Sequence, residues 1–195
     1  SKERIQKILA QNGYSSRRKI ENLIKEGRVF INDSPAKLGD KIATEEKIFI
    51  DGKEINISQR ISSELLMYNK PVGEECTHTS TKRTVFDSLP KPKSGKWICI
   101  GRLDINTSGL LLITNDGKLA NEIIHPSKDT EREYIVRVRG KPSDSNLRKL
   151  MSGVKIDSEE IFFSDLVRGK ETSSHTWFAL VIMSGKNRSV RKLWE

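Results

Sequence analysis

Asp104 and Arg102 are the residues whose types and spacing point most directly to chemistry. They lie in Ile100-Gly-Arg-Leu-Asp-Ile-Asn-Thr-Ser-Gly, a charged loop between two apolar runs that predict buried strands. A carboxylate and a guanidinium two residues apart commonly form a structural ion pair. The alternative use is catalytic, because an aspartate kept ionised in a partly dry pocket can attack or stabilise a substrate.

Metal chemistry is a competing use of the same carboxylate. Asp87, Asp104 and Asp116 could serve a metal-dependent nuclease, which EDTA would inactivate. The three residues fall in separate predicted turns, however, and Asn-Asp-Gly around Asp116 is a turn signature that favours a structural role. The remaining metal-binding residue types lack ligand spacing, so no metal site is predicted: His78, His125, His175, Cys76 and Cys99.

The residues after position 64 alternate between strand and helix patterns. Strands are predicted at 65–68, 97–100, 110–114, 134–139, 160–167 and 177–183. Apolar residues three and four apart predict helices at 118–124 and 144–151. The predicted class is α+β with a mixed or antiparallel sheet, whose strands would position the loop of Asp104.

The first sixty residues have a different pattern. Apolar residues at helical spacing predict two short helices, the second capped by Ser15 or Ser16 and ended by Gly27. Strand-like runs at 29–31 and 47–50 follow, and polar residues at 58–64 predict a linker. Basic residues concentrate on both helices, which by itself is typical of a solvated helix face.

The net charge indicates what kind of molecule the protein would bind. The 195 residues contain 35 Lys+Arg and 26 Asp+Glu, giving a net charge of +9 that is shared between residues 1–60 and 61–195. A basic folded surface favours a polyanionic partner, because each cation placed against a phosphate releases condensed counterions. The two cysteines favour a reducing compartment. Since neither a signal peptide nor a membrane-spanning run is recognised, a cytoplasmic location without membrane association is expected.

The N-terminal segment resembles the S4 RNA-binding domain over residues 2–54. The resemblance lies in Arg4-Ile-Gln-Lys-Ile-Leu-Ala-Gln-Asn-Gly-Tyr-Ser-Ser-Arg-Arg-Lys and in Ile24-Lys-Glu-Gly-Arg-Val-Phe-Ile-Asn. In that family two helices lie against structured RNA, and basic residues hold its backbone. The resemblance implies phosphate contacts by Lys7, Arg17, Arg18 and Lys25, which would position an RNA without reading its sequence.

The loop of Asp104 resembles the signature of pseudouridine synthases that act on ribosomal RNA, in the branch that carries an S4 domain in front. The signature is Gly101-Arg-Leu-Asp followed by Thr107-Ser-Gly-Leu-Leu-Leu-Ile-Thr-Asn-Asp-Gly. Three more segments match in order: Met67-Tyr-Asn-Lys-Pro-Val-Gly, Arg132-Glu-Tyr-Ile-Val-Arg-Val and Ser184-Gly-Lys-Asn-Arg-Ser-Val-Arg-Lys-Leu-Trp-Glu. Thr84-Val-Phe-Asp-Ser-Leu-Pro and Leu193-Trp-Glu are most similar to the members that modify large-subunit RNA.

This resemblance implies a role for individual residues. Asp104 is the implied nucleophile, Arg191 the cation that keeps its pKa low, and Tyr134 the residue that stacks on the target base and serves in proton removal at C5. Arg102 would hold the nucleotide out of its stack, with Lys186 and Arg188 as further substrate-binding residues. Taken alone, Tyr134 would be a packing residue of a strand.

The implied reaction detaches uracil from C1′ of the ribose, turns it and rejoins it through C5. Because the atoms balance, no cofactor, metal or energy source is expected. The expected partner is ribosomal RNA, from the large subunit, or an assembling ribosomal particle, and the protein is expected to be a monomer. A non-catalytic S4-type RNA-binding protein associated with the ribosome is the alternative. It leaves two segments without a role, Gly101-Arg-Leu-Asp and the segment from Ser184 to Glu195, which resembles the third motif of the synthase family.

The resemblance also predicts the domain organisation. Residues 1–60 would form the S4 domain, and residues 61–195 the catalytic domain. Family members continue after the third motif with strands that complete the catalytic sheet, so this domain is expected to be incomplete at its C-terminus. The predicted helix at 189–195 would then depend on later strands for its packing.

Overall fold

The computed structural model describes residues 2–43, 45–57, 62–125, 130–183, 185 and 188–195. The chain divides into two compact units, residues 1–121 and 122–195. The predicted linker at 58–64 falls mostly outside the described residues. The predicted domain boundary at residue 60 lies inside the first unit and stays a prediction.

Two helices begin the first unit, as the periodicity predicts. The elements are β1 (Glu3–Arg4), α1 (Ile5–Gln11) and α2 (Arg17–Lys25). Of the two candidate caps it is Ser16 that caps α2, because its hydroxyl accepts a hydrogen bond from the backbone N–H of Lys19. Gly13 and Gly27 follow the two helices with φ of 78° and 69°, the left-handed conformation that ends a helix most easily in glycine.

A small antiparallel sheet packs against these helices. This part of the chain contains the strands β2 (Val29–Ile31), β3 (Ser34–Pro35), β4 (Lys41–Ile42), β5 (Ile48–Ile50) and β6 (Lys53–Ile55). The order in the sheet is β3-β2-β5-β6, while β4 pairs with β1. Asp51 and Gly52 both have positive φ, as a tight hairpin turn requires. Ile5, Ile20 and Ile48 are fully buried in the core that the helices and the sheet share.

The rest of the first unit is built on a second antiparallel sheet. Its elements are β7 (Leu65–Lys70), a 3-10 helix (Val85–Ser88), β8 (Ile98–Ile100), β9 (Gly109–Thr114) and the start of α3 (Gly117–Ile124). The strand order is β7-β9-β8. Trp97, predicted as the start of a strand, precedes β8, and its ring is buried with Nε1 donating to the Pro90 carbonyl oxygen at 2.6 Å.

Gly13 and Gly95 bring the two parts of the first unit into contact. A Cβ atom added to Gly95 would lie 2.5 Å from the carbonyl oxygen of Gln11, and one added to Gly13 would lie 3.0 Å from the carbonyl oxygen of Gly95. The side chain of Asn115, which is buried, holds the segment from the other side, because its Nδ2 donates to the Ser94 carbonyl oxygen. The end of α1 therefore meets the segment before β8 backbone to backbone.

The second unit contains a three-stranded antiparallel sheet and two helices. Its elements are β10 (Arg132–Arg139), α4 (Asp144–Ser152), β11 (Val154–Ile156), β12 (Glu159–Ile161), β13 (Asp165–Glu171), β14 (His175–Ile182) and α5 (Ser189–Trp194). The sheet order is β10-β14-β13, and β11 and β12 form a separate hairpin. Along β10 exposed residues alternate with half-buried ones, the pattern of a strand with one covered face.

One predicted strand is wrong. The apolar run at 160–167 is two strands, β12 and β13, separated by residues 162–164. Phe163 lies in this break and is almost fully buried, and its N–H donates to the Leu150 carbonyl oxygen at 3.0 Å. A buried phenylalanine at a chain reversal gives the same apolar signal as a strand residue.

Helix α5 packs on this unit's own core. Leu193 is buried, and the Trp194 ring lies 4.9 Å from the ring centroid of Phe178 and 5.8 Å from that of Phe163. The expectation that this helix depends on later strands is therefore wrong. The predicted α+β class is confirmed, and the sheets are antiparallel. Within the described ranges, no helix is long and apolar enough to cross a membrane.

Candidate active site

The loop of residues 101–108 connects two strands that lie side by side. Strand β8 ends at Ile100, which is opposite Leu112 of β9, and Gly101 leaves the strand with a φ of 82°. A turn follows in which the Thr107 N–H donates to the carbonyl oxygen of Asp104 at 2.9 Å. Asp104 is half-buried and Arg102 exposed, and both residues lie in the loop at one end of the sheet.

Lys70 holds this loop in place through hydrogen bonds. This role was not predicted from the sequence. Its side chain is fully buried, and Nζ donates to the carbonyl oxygens of Pro71 at 2.9 Å and Thr107 at 2.8 Å. The backbone adds a second link, since the Gly73 N–H donates to the Ile105 carbonyl oxygen at 2.7 Å. The signal was the alternation in β7, which puts Lys70 on the same covered face as Leu66 and Tyr68.

A second buried charge fixes the segment after β7. Glu74 is 2% exposed and accepts hydrogen bonds from Tyr68 Oη at 2.6 Å and Ser88 Oγ at 2.9 Å, with Arg83 Nε 3.0 Å away. Burial, and then the hydrogen bond to Glu74, raise the pKa of Tyr68. Every partner of this carboxylate lies in residues 68–88, so the network ties the 3-10 helix to β7.

Asp87 and Asp116 have structural roles. Asp87 accepts from the backbone N–H of Thr84 at 2.7 Å, which lowers its pKa and caps the 3-10 helix. Asp116 Oδ1 accepts from the N–H groups of Lys118 and Leu119, so it caps α3 rather than forming a turn. Among the described residues, no group of three His, Cys, Asp or Glu side chains could hold a metal ion. The metal-dependent nuclease therefore has no support in this geometry.

The other predicted catalytic residues belong to the second unit. Tyr134 lies on β10 opposite Leu180 of β14, on the face that packs against the unit's core. Arg191 is exposed on α5. Arg188 precedes α5 in the left-handed conformation, with φ of 57°, and its Nη2 is 3.7 Å from Glu195 Oε1. Lys186 lies outside the described residues.

The predicted RNA-binding cations lie on the two N-terminal helices. Arg17 and Arg18 are exposed in the first turn of α2, where backbone N–H groups without helical partners also attract anions. Lys25 is exposed in the last turn of α2. Lys7, on α1, forms an ion pair with Glu3 at 2.5 Å, so an RNA phosphate would have to compete with this carboxylate.

Comparison with known protein families gives two matches along the chain. The family model for RNA pseudouridylate synthase matches residues 64–195, and the model for the S4 domain matches residues 3–48. A crystal structure of a pseudouridylate synthase covers 97% of this chain, and the chain covers 81% of it, with a TM-score of 0.61. At 23% identity, this likeness shows a shared fold.

Curated relatives extend the match along the sequence. Ribosomal large subunit pseudouridine synthase B of Vibrio vulnificus is 47% identical over 99% of this chain, and that of Pseudomonas aeruginosa 45% over the same share. The chain spans 62% and 51% of these two relatives, and 69% of the one from Escherichia coli O157:H7, which is 43% identical. The chain therefore belongs to the RNA pseudouridylate synthase family and carries an S4 domain in front of the segment that the family model matches.

Proposed function

We propose that this protein isomerises a uridine of large-subunit ribosomal RNA to pseudouridine, with Asp104 as the nucleophile. The observation that carries the proposal is the support of the Asp104 loop. A buried ammonium and two antiparallel strands hold a half-buried carboxylate at the end of a sheet. A fixed, partly desolvated carboxylate is what attack on or stabilisation of a sugar carbon requires.

The isomerisation breaks the bond between N1 of uracil and C1′ and forms one between C5 and C1′. One proton leaves C5 and one is gained at N1, so there is no net redox change and no group is lost. Asp104 would attack or stabilise the sugar or the base while the uracil turns. Tyr134 would stack on the base and take part in removing the C5 proton, and Arg191 would keep Asp104 ionised.

The remaining cations would bind the RNA. Arg102, next to the nucleophile, would hold the target nucleotide out of its stack, with help from Lys186 and Arg188. Residues 1–60 would form the domain that positions the RNA, through phosphate contacts by Lys7, Arg17, Arg18 and Lys25. Residues 61–195 would form the catalytic domain. The enzyme would act as a monomer in the cytoplasm on ribosomal RNA or on an assembling particle.

Pseudouridine mapping of ribosomal RNA tests the proposal. Cells lacking their own enzyme would express the wild-type protein, Asp104→Asn or Asp116→Asn. The last is a matched control, because asparagine also caps a helix. One large-subunit site modified by the wild type and by Asp116→Asn, but not by Asp104→Asn, is the expected result. RNA binding by all three proteins without any new pseudouridine would favour the alternative, an S4-type binding protein.

A further inference from the structure

Two thiols face one open cavity beside the loop of Asp104. The cavity has a volume of about 220 Å³, and its lining includes Cys76, Cys99, Phe86, Trp97 and Arg102. Cys76 follows the segment that Glu74 fixes, whereas Cys99 lies in the middle of β8. The sequence predicts Cys99 to be a buried strand residue, but it is only partly buried and lines the cavity.

The two side chains lie in the same part of the fold. Cys76 and Cys99 line one cavity and pack against the same buried core, which includes Val85, Trp97 and Ile113. Cys76 Sγ also donates to the carbonyl oxygen of Leu103 at 3.4 Å. Leu103 directly precedes Asp104 in the chain. Oxidation of Cys76 would thus change a contact one residue from the proposed nucleophile.

The surroundings shift the pKa values of the two thiols in opposite directions. The hydrogen bond from Cys99 is the largest influence that lowers the pKa of Cys76, and the nearby charges of Lys70 and Arg102 lower it further. The same hydrogen bond and burial raise the pKa of Cys99. These influences favour the thiolate form at Cys76 over that at Cys99, so Cys76 is the better nucleophile of the pair.

We propose that Cys76 and Cys99 are a modification site, a dithiol that hydrogen peroxide oxidises to a disulfide between the two residues and that a small-molecule thiol reduces again. The Cys76 thiolate attacks the peroxide, the O–O bond breaks, and a sulfenic acid and hydroxide form. The Cys99 sulfur then displaces hydroxide from that sulfenic acid, and its proton ends in water. The two thiols lose two electrons in total, and the peroxide is reduced to water. This inference does not depend on the proposed function.

Mass spectrometry of peroxide-treated protein tests the site. The reduced wild type would be treated with hydrogen peroxide, its remaining thiols alkylated, and its peptides mapped with and without dithiothreitol. We expect a Cys76–Cys99 disulfide within one chain as the main product, and dithiothreitol to restore both thiols. Protein treated in denaturant is the reference, and should give the intramolecular disulfide at least severalfold more slowly, because the contact is lost.

Two variants assign the order of events. Cys99→Ser should trap a sulfenic acid at Cys76, detectable with dimedone, since the resolving thiol is missing. Cys76→Ser should leave Cys99 reduced at the same peroxide dose. The proposal is overturned if both wild-type thiols remain alkylatable, if the disulfides join different chains, or if Cys76→Ser is oxidised as fast as the wild type.

Discussion

The ammonium of Lys70 lies 2.8 Å from the carbonyl oxygen of Thr107, at the end of the loop that carries Asp104. Lys70 is fully buried, and its second carbonyl partner is Pro71, the next residue in its own chain segment. A single side chain thus joins the end of β7 to the loop between β8 and β9. The position of the proposed nucleophile depends on a residue 34 positions earlier in the sequence.

Replacing Lys70 with methionine should destabilise the protein, because the carbonyl groups of Pro71 and Thr107 lose the donor that the buried side chain supplies. We expect a loss of about 1–3 kcal/mol in the free energy of unfolding, measured by urea denaturation. The exposed Lys91→Met is the control and should lie within about 0.5 kcal/mol of the wild type. Equal urea midpoints for the two variants would contradict the assigned role. Pseudouridine formation by Lys70→Met should fall with RNA affinity unchanged, since the loop and not the RNA surface is altered.

The phenol of Tyr68 should make stability depend on alkaline pH. Its pKa in the folded state is raised above 10.0, first by burial and then by the hydrogen bond to Glu74. Its contribution to stability is therefore fully present below the ordinary pKa of 10.0 and is lost as the pH rises through the raised value. Unfolding measured by urea across alkaline pH should show a shallower decline for Tyr68→Phe than for the wild type. Parallel declines would mean that the folded protein does not favour the neutral phenol.

Alkylation of Cys76 should be faster than that of an ordinary thiol at neutral pH. A pKa lowered from 9.0 to about 6 increases the thiolate fraction at pH 7 about 90-fold, while the lower basicity reduces nucleophilicity about 20-fold. The expected net gain with iodoacetamide is about fourfold, and the rate should rise with a midpoint near pH 6.

The groups that set this midpoint are Cys99, the Leu103 backbone, Lys70 and Arg102. His78 borders the same cavity. In Cys99→Ala, which lacks the hydrogen-bond donor, the midpoint should move toward the ordinary value. Identical pH profiles for Cys99→Ala and the wild type would exclude Cys99 as the main influence.

Arg17 and Arg18 should account for part of the salt dependence of RNA binding. Both are exposed at the N-terminus of α2. Changing both to glutamine should weaken binding at every RNA sequence, and reduce the slope of log affinity against log salt by roughly one unit per lost contact. Arg28→Gln is the control, because this guanidinium is bound to Asp51 at 2.7 Å and to Glu26 at 2.9 Å. A change of slope for the control that is half as large as that for the double variant would mean that the effect is one of net charge.

Local sequence patterns predicted most of the helices and strands, because these depend on the spacing of apolar residues over a few positions. Helical spacing predicted α1 and α2, and the motif around Asp104 predicted the loop. The prediction of a single strand at 160–167 was wrong, because Phe163 is buried in the short segment that separates β12 from β13.

Contacts between segments that are distant in the sequence could not be predicted from local patterns. A buried lysine is rare, so Lys70 passed as the surface residue that lysine usually is. That Cys76 and Cys99 line the same cavity depends on how the chain returns to β8 over more than twenty residues, and no local signal encodes it. Asp104 and Arg191 lie in different units, and their joint role stays a prediction.

The contact between Gly13 and Gly95 fixes the distance between the N-terminal helices and residues 62–121. Because no side chain fits between the Gln11 carbonyl oxygen and Gly95, the helices that carry Arg17 and Arg18 approach residues 62–121 as closely as two backbones can. Any larger residue at position 95 would act as a spacer and move those helices outward. If RNA contacts α2 and Asp104 as proposed, the number of nucleotides between these two contacts would then change, and the absence of two side chains would help to determine which uridine lies within reach.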